Sequence, residues 1–277
     1  METTNAYEAL NKLTRDIKNA SGTMNRDEAR YLVDTYYQIQ KLRIATKNQC
    51  RTIDGMEAEP HETLDFFGDN FEILERDIKA ALKRYVEAQP VGRWMLTICG
   101  IGEVLAAGLL AHIDIAKCKT AGQIQSFAGL NPTMEWKKGE KRPFNAKLKT
   151  LCWKIGESFV KVSNRENDIY GHIYKIRKEY EQEKNEKLEY SEQAFARAEK
   201  VGKSTEAYKY YSAGKLPPAH IQARAKRYAV KLFLSHLFSI WYELENHEKP
   251  PKPYPIGILN HAHEIPVPNY DMIMQSL

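Results

Sequence analysis

Between Leu64 and Tyr85 the apolar residues Leu64, Phe67, Phe71, Leu74, Ile78, Leu82 and Tyr85 fall three or four positions apart. That spacing gathers side chains onto one face of an α-helix, whereas in a strand it would scatter them over both faces. Leu32, Tyr36, Ile39 and Leu42 repeat the pattern upstream. The spacing predicts one helix from the start signal Asn25, Asp27 and Glu28 to about Ile53, and a second from about Glu62 to Ala88, stopped by Pro90. Asp54-Gly55 through Pro60-His61 supplies the residues of a reversal. Residues 1–90 are therefore expected to form an antiparallel helical hairpin of the coiled-coil kind. Helical stripes recur at Leu148, Leu151, Cys152, Ile155, Phe159 and Val162, and again at Ile221, Ala225, Tyr228, Leu232, Phe233, Leu237, Ile240, Trp241 and Leu244. The expected fold class is all-α, a helical hairpin followed by a helical domain that contains a helix-hairpin-helix.

At 43% hydrophobic and 28% charged over 277 residues, the chain has the composition of a globular protein. Its longest apolar run, Gly102 to Ile113, is broken by Gly, Glu and His short of the roughly 18 residues a membrane span requires. The start METTNAYEAL shows no basic region followed by an apolar stretch, so a cytoplasmic location is expected. Cys50, Cys99, Cys118 and Cys152 are widely spaced and fit reduced thiols. Charge is unevenly spread. Residues 1–90 carry 13 Lys and Arg against 16 Asp and Glu, while residues 91–246 carry 26 against 17. The basic excess in the middle of the chain points to an anionic partner there.

The expected organisation is a hairpin over 1–90, a helical domain over 91–246, and a Pro-rich extended tail over 247–277. Within the domain, Thr120 with Gln123 reads as a capping box opening a short helix that ends near Gly129. Asn145 reads as the cap of the next helix. Residues 172–213, rich in charge and Tyr, read as an exposed helical arm. His236 falls on the apolar stripe of the last helix and reads as a hydrogen-bonded core histidine. His261 and His263 have the spacing for a metal but lack a clear third ligand, and no P-loop, dinucleotide fingerprint or HExxH is present. No metal and no cofactor is expected.

Two local features carry chemistry. In Thr97 to Ala106 an apolar segment, the triplet Gly100-Ile101-Gly102 and a run of small residues make a helix-hairpin-helix pattern. Backbone N–H groups of Gly100, Ile101, Gly102, Glu103 and Val104 would there approach a phosphate closely, because glycine leaves the turn without side chains. Downstream, Lys137, Lys138, Lys141, Arg142 and Lys147 follow one another with Glu140 as the local offset, and Trp136 and Phe144 stand among them. Gly139 and Pro143 keep the first part out of a helix, so several cations can meet one nucleic-acid backbone.

The order GIGEVLAAGLLAHI, TAGQIQSFAGLNP, KKGEKR and NAKLKTLCW resembles the C-terminal transposase domain of the insertion-sequence one-ten family, the DEDD and serine transposases guided by a bridge RNA. The resemblance covers about residues 91–164 and extends to the final helix, Ala219 to Leu244. It implies DNA, or structured RNA, as partner, and the hairpin at 26–88 resembles the family's coiled coil, which implies self-association through the N-terminal helices. Two departures bear on activity. No RuvC-like alternation of strands and helices precedes the hairpin in this sequence. Where the family pattern places a catalytic serine, this chain has Lys137-Lys138-Gly139, and a lysine cannot form the serine's phosphoester with DNA. Ser126, Ser158 and Ser163 lie nearby and read as capping or packing residues. The expectation is a transposase-related protein that binds the nucleic-acid backbone without the family's strand exchange. A recombinase with another nucleophile or a partner-supplied metal domain, and a protein-interaction or inhibitor module, are the alternatives.

Overall fold

A computed structural model of the protein describes residues 13–55, 61–252 and 265–275. These residues are helical without a strand, as the periodicity predicts. They fold as two compact units, one built from residues up to Leu96 with Gly102–Asp114 and the residues from Asp271 on, the other from Thr97–Ile101 and Ile115–Tyr270.

In the first unit a short α1 (Arg15–Ala20) precedes two long helices, α2 (Arg26–Asp54) and α3 (Glu62–Glu87). Asn25 opens α2 with a full capping box, its side chain accepting from the Asp27 and Glu28 amides while Glu28 accepts from the Asn25 amide at 2.7 Å. Lys47 pairs with Glu72, and Arg43 and Gln40 both reach Glu75 at 2.5 and 2.9 Å. Positions that fall along α2 thus meet positions that rise along α3, so the two helices run antiparallel. Full burial is confined to Ala29, Val33 and Tyr36 on α2, and on α3 to Gly68 and the run Ala81, Leu82, Tyr85 and Val86. After α4 (Pro90–Leu96), α5 (Glu103–His112) is buried on nearly all sides and packs on both long helices. Arg30 Nε donates to the Ala111 carbonyl at 2.7 Å, and Arg26 pairs with Asp114 at 3.1 Å. Those guanidiniums occupy the carbonyl end of α5, where cations are favoured.

The spine of the second unit is α11 (Pro218–Asn246). Against it lie α6 (Ala121–Phe127), α7 (Ala146–Val162) and α8 (Tyr170–Glu186). Phe159 of α7 stacks on Tyr170 of α8 at 5.0 Å, and both meet Phe233 of α11 edge-on at 5.7 and 5.4 Å. His236, 5% exposed, closes this cluster. The Tyr170 hydroxyl lies 2.7 Å from its Nδ1 and the Ile265 carbonyl 3.0 Å from its Nε2. A neutral ring fits both, with Nδ1 accepting from the hydroxyl and the Nε2 hydrogen donated to the carbonyl. The expected core histidine is therefore realised with a partner on each nitrogen.

Three sequence expectations are corrected. Thr120 flanks α6 as its N-cap but its hydroxyl makes no capping bond; the Gln123 side chain instead accepts from the Lys119 amide. Residues 172–213 are not a solvated arm. They form most of α8 with α9 (Ser191–Ala198) and α10 (Glu206–Ser212), and bury Tyr174, Glu181, Asn185, Ala194 and Tyr211. Ala194 and Tyr211 share a small core with Leu216 and Ile221, and Asn185 exchanges two hydrogen bonds with the Leu216 backbone at 2.7 and 2.9 Å. Tyr228 faces outward, 39% exposed, rather than into the core. Of the Pro-rich tail, α12 (Tyr270–Met274) is a short helix; His261 and His263 lie outside the described residues. Cys50, Cys99, Cys118 and Cys152 are all free thiols. Among the described residues no helix is long and apolar enough to cross a membrane.

Burial holds the His236 pKa down to about 4, against a weaker opposing effect of the Ile265 carbonyl. The unfolded chain therefore binds a proton near pH 6.5 that the folded chain resists. Stability is full above pH 6.5 and falls as the pH drops towards 4. Thermal unfolding followed by circular dichroism between these pH values should show this loss, and His236→Asn should flatten it while lowering the midpoint at neutral pH.

Candidate nucleic-acid interface

The glycine turn is built from its own backbone and from α7. The Ile101 amide donates to the Ile98 carbonyl at 2.9 Å, closing a β-turn whose third residue, Gly100, has φ +92°. A type II turn needs such a φ at that position, which an L side chain adopts only under strain. Ser158 of α7 donates to the Gly100 carbonyl at 2.6 Å. A Cβ on Gly100 would stand 3.2 Å from Val162 and 3.3 Å from Phe159. Gly100 is thus required by the turn and its packing. The Ile101 amide is spent inside the turn and the Ile101 side chain is buried.

The first turn of α5 has a different character. Gly102 is its N-cap, extended, with no side chain to cap the helix, and a Cβ there would meet nothing within 4 Å. The first amides of an α-helix have no acceptor within the helix, which leaves those of Glu103 and Val104 without a helical partner beside the open Gly102. Glu103 brings its own carboxylate to this end, paired with Lys79 at 3.5 Å. Val104 is buried.

The basic loop grows out of the end of α6. The Leu130 amide donates to the Gln125 carbonyl and the Gly129 amide to the Ser126 carbonyl, both at 2.9 Å, the paired bonds of a Schellman motif. Asn131 then accepts from the Thr133 amide and hydroxyl at 3.1 and 2.9 Å. Together these bonds account for the sequence F-A-G-L-N-P-T as a helix stop followed by a side-chain turn. Beyond it, the Glu140 amide donates to the Lys137 carbonyl at 3.2 Å, with Gly139 at φ +97° in the third position of the turn. The Trp136 indole N–H donates to the Glu140 carbonyl at 2.9 Å, and the Arg142 guanidinium lies 5.3 Å over the Trp136 ring. Lys137, Lys138, Lys141 and Arg142 are exposed, and among the described residues none of them pairs with a carboxylate. Lys147, also exposed, lies in the first turn of α7, which Asn145 caps by accepting from the Leu148 amide at 3.0 Å. The Phe127 carbonyl holds the Asn145 amide at 2.8 Å, so both ends of the loop are tied to the stop of α6.

The structure therefore gathers Lys137, Lys138, Lys141, Arg142 and Lys147 in the second unit, while Gly102, Glu103 and Val104 belong to the first. Sequence reasoning missed the residues that hold the glycine turn and the loop. Ser158 read as a packing residue, and no motif marks Trp136 as a clamp on the Glu140 carbonyl.

Fold and site together define a protein whose described residues are helical without a strand, carrying a glycine turn and a basic loop tied at both ends to the stop of α6. Residues 92–142, from α4 to Arg142, match the model of the transposase IS116/IS110/IS902 family. Over that segment the chain is similar to transposases of that family. No curated protein and no solved structure matches the chain.

Replacing Gly100 by Ala should lower stability by about 1–2 kcal/mol from the backbone conformation alone, with crowding against Val162 adding to it. Urea unfolding of Gly100→Ala beside Gly102→Ala measures this, and the second variant should change little.

Proposed function

We propose that the protein is a transposase-related nucleic-acid-binding protein that holds DNA, or structured RNA, by its backbone. The observation that carries this reading is the loop of unpaired cations at Lys137, Lys138, Lys141 and Arg142, fixed in shape by its own hydrogen bonds and rooted at both ends. A preorganised cationic loop spends little entropy on meeting phosphates, and each phosphate neutralised releases condensed counterions. Lys147 extends the same charge into α7, and Trp136 offers a ring beside it. The open amides at Gly102, Glu103 and Val104 form a second, weaker contact, since the Glu103 carboxylate competes with a phosphate there. Gly100 and Ile101 shape that turn and do not themselves reach the ligand. With Lys137-Lys138-Gly139 at the place of the family's serine, the protein binds without that serine's strand exchange.

The test is fluorescence-anisotropy binding to duplex DNA, single-stranded DNA and hairpin RNA across a salt series. Lys137→Glu with Lys138→Glu should weaken binding at least tenfold and flatten the salt dependence by about two phosphate contacts. Unchanged affinity removes the loop from the interface.

The N-terminal helices are the second element of the proposal. Leu42 and Ile44 of α2 and Phe66, Phe67 and Leu74 of α3 are exposed, with Phe66 63% open. Apolar seams left uncovered on paired helices favour self-association, and a homo-oligomer through these helices is the assembly we propose. Light scattering should give a mass above one chain, and Phe66→Glu with Phe67→Glu should bring it down to the monomer.

A further inference from the structure

His220, Arg224, Arg227 and Lys231 recur on α11 at a spacing of four, three and four residues, which places them on one face of the helix in steps of roughly 5–6 Å along its axis. The neighbouring α9 adds to this row. Arg224 donates to Gln193 at 3.3 Å, and Arg197 stands one turn further along the same side of α9. The carboxylate offsetting these charges is Glu181, almost fully buried and already committed. It accepts from Arg177 at 2.6 and 2.8 Å, from Arg224 at 2.6 Å and from the Tyr190 hydroxyl at 2.6 Å. Arg197 and Arg227 are exposed and make no ion pair among the described residues.

The row is held against its own repulsion. Crowding by the protein and then the Arg224 charge press on Arg227, and burial followed by Arg227 lowers the pKa of Lys231. Burial, then Arg227, Arg224 and Arg197, lowers that of His220, whose Nδ1 lies 3.2 Å from the Tyr211 hydroxyl. Tyr228 stands beside the row, with the Arg177 guanidinium 4.5 Å over its ring. Like charges set this close repel one another, the one buried Glu181 offsets them only in part, and a linear anion laid along the exposed members relieves the rest. Phosphates spaced regularly along a strand match a regular row of cations, and an exposed tyrosine gives a base or sugar a face to rest on.

We propose that Arg227 and Lys231 of α11, with Arg197 of α9, form a second contact surface for a nucleic-acid phosphate backbone, built on different helices from the 137–142 loop. The proposal rests on the reading that the protein binds nucleic acid. The test compares the full chain, Arg197→Gln with Arg227→Gln, and Lys137→Glu with Lys138→Glu. Each is titrated against labelled duplex and single-stranded DNA between about 50 and 300 mM salt. Both arginines lie outside the Glu181 cluster, so melting by circular dichroism should be unchanged. Lys231→Gln serves as the independent variant. Loss of about tenfold in affinity in the arginine variant, with the salt slope reduced by one to two, supports the proposal. Unchanged affinity and slope there, with the loop variant weakened, overturns it and leaves the loop standing. No binding by the full chain overturns both. Retention on polyglutamate that the arginine variant loses, with DNA binding intact, overturns it in favour of an acidic protein partner.

Discussion

Tyr170 is the point through which the second unit is organised. Its ring stacks on Phe159 and meets Phe233 edge-on, and its hydroxyl closes on His236. Three helices are fixed by that one side chain, because ring pairs at these distances and a satisfied buried hydroxyl contribute geometry as well as burial. The other nitrogen of His236 holds the Ile265 carbonyl, so the cluster also captures a residue near the end of the chain. One helix of the same cluster carries Ser158, which grips the Gly100 carbonyl, and its first turn carries Lys147. The glycine turn, packed against Phe159 itself, and the basic loop thus inherit their positions from one aromatic core.

A basic loop is useful for binding only when its charges are kept from collapsing onto the protein. Here a helix stop, a side-chain turn at Asn131 and a glycine turn at Gly139 follow in sequence, and each uses local backbone donors. The Trp136 indole then takes the Glu140 carbonyl, and the Glu140 side chain accepts from the Lys137 amide at 3.2 Å. That bond employs the acid inside the Lys137–Arg142 run within the turn while the lysines stay exposed. The Glu140 carboxylate is structural, which reconciles a Glu in the middle of the Lys137–Arg142 run with a cationic surface.

Much of this architecture is legible in the sequence where one side of a helix is polar. The long helices α2, α3 and α11 follow from apolar spacing, and the caps at Asn25 and Asn145 follow from residue type and position. What defeats sequence reasoning is burial without a polar face or polarity without exposure. α5 is apolar all round, so periodicity locates the helix but not the two partners it lies between. Around 172–213 the charge that reads as solvated is partly inside, because one Glu181 carboxylate satisfied by two guanidiniums and a hydroxyl can be buried at a tolerable cost. The site divides in the same way. The composition of the loop is visible, whereas the loss of the Ile101 amide to the Ile98 carbonyl needs the backbone path.

The charge split along the chain acquires a physical meaning in this light. The excess of cations over residues 91–246 is not spread as solubilising charge; part of it is concentrated where internal carboxylates are already taken. Burying Glu181 against Arg177 and Arg224 ties α8 to α11 and at the same time removes the acid that would neutralise the adjoining Arg227 and Arg197. Stability of the helical packing and the bareness of the neighbouring cations are therefore two results of one arrangement.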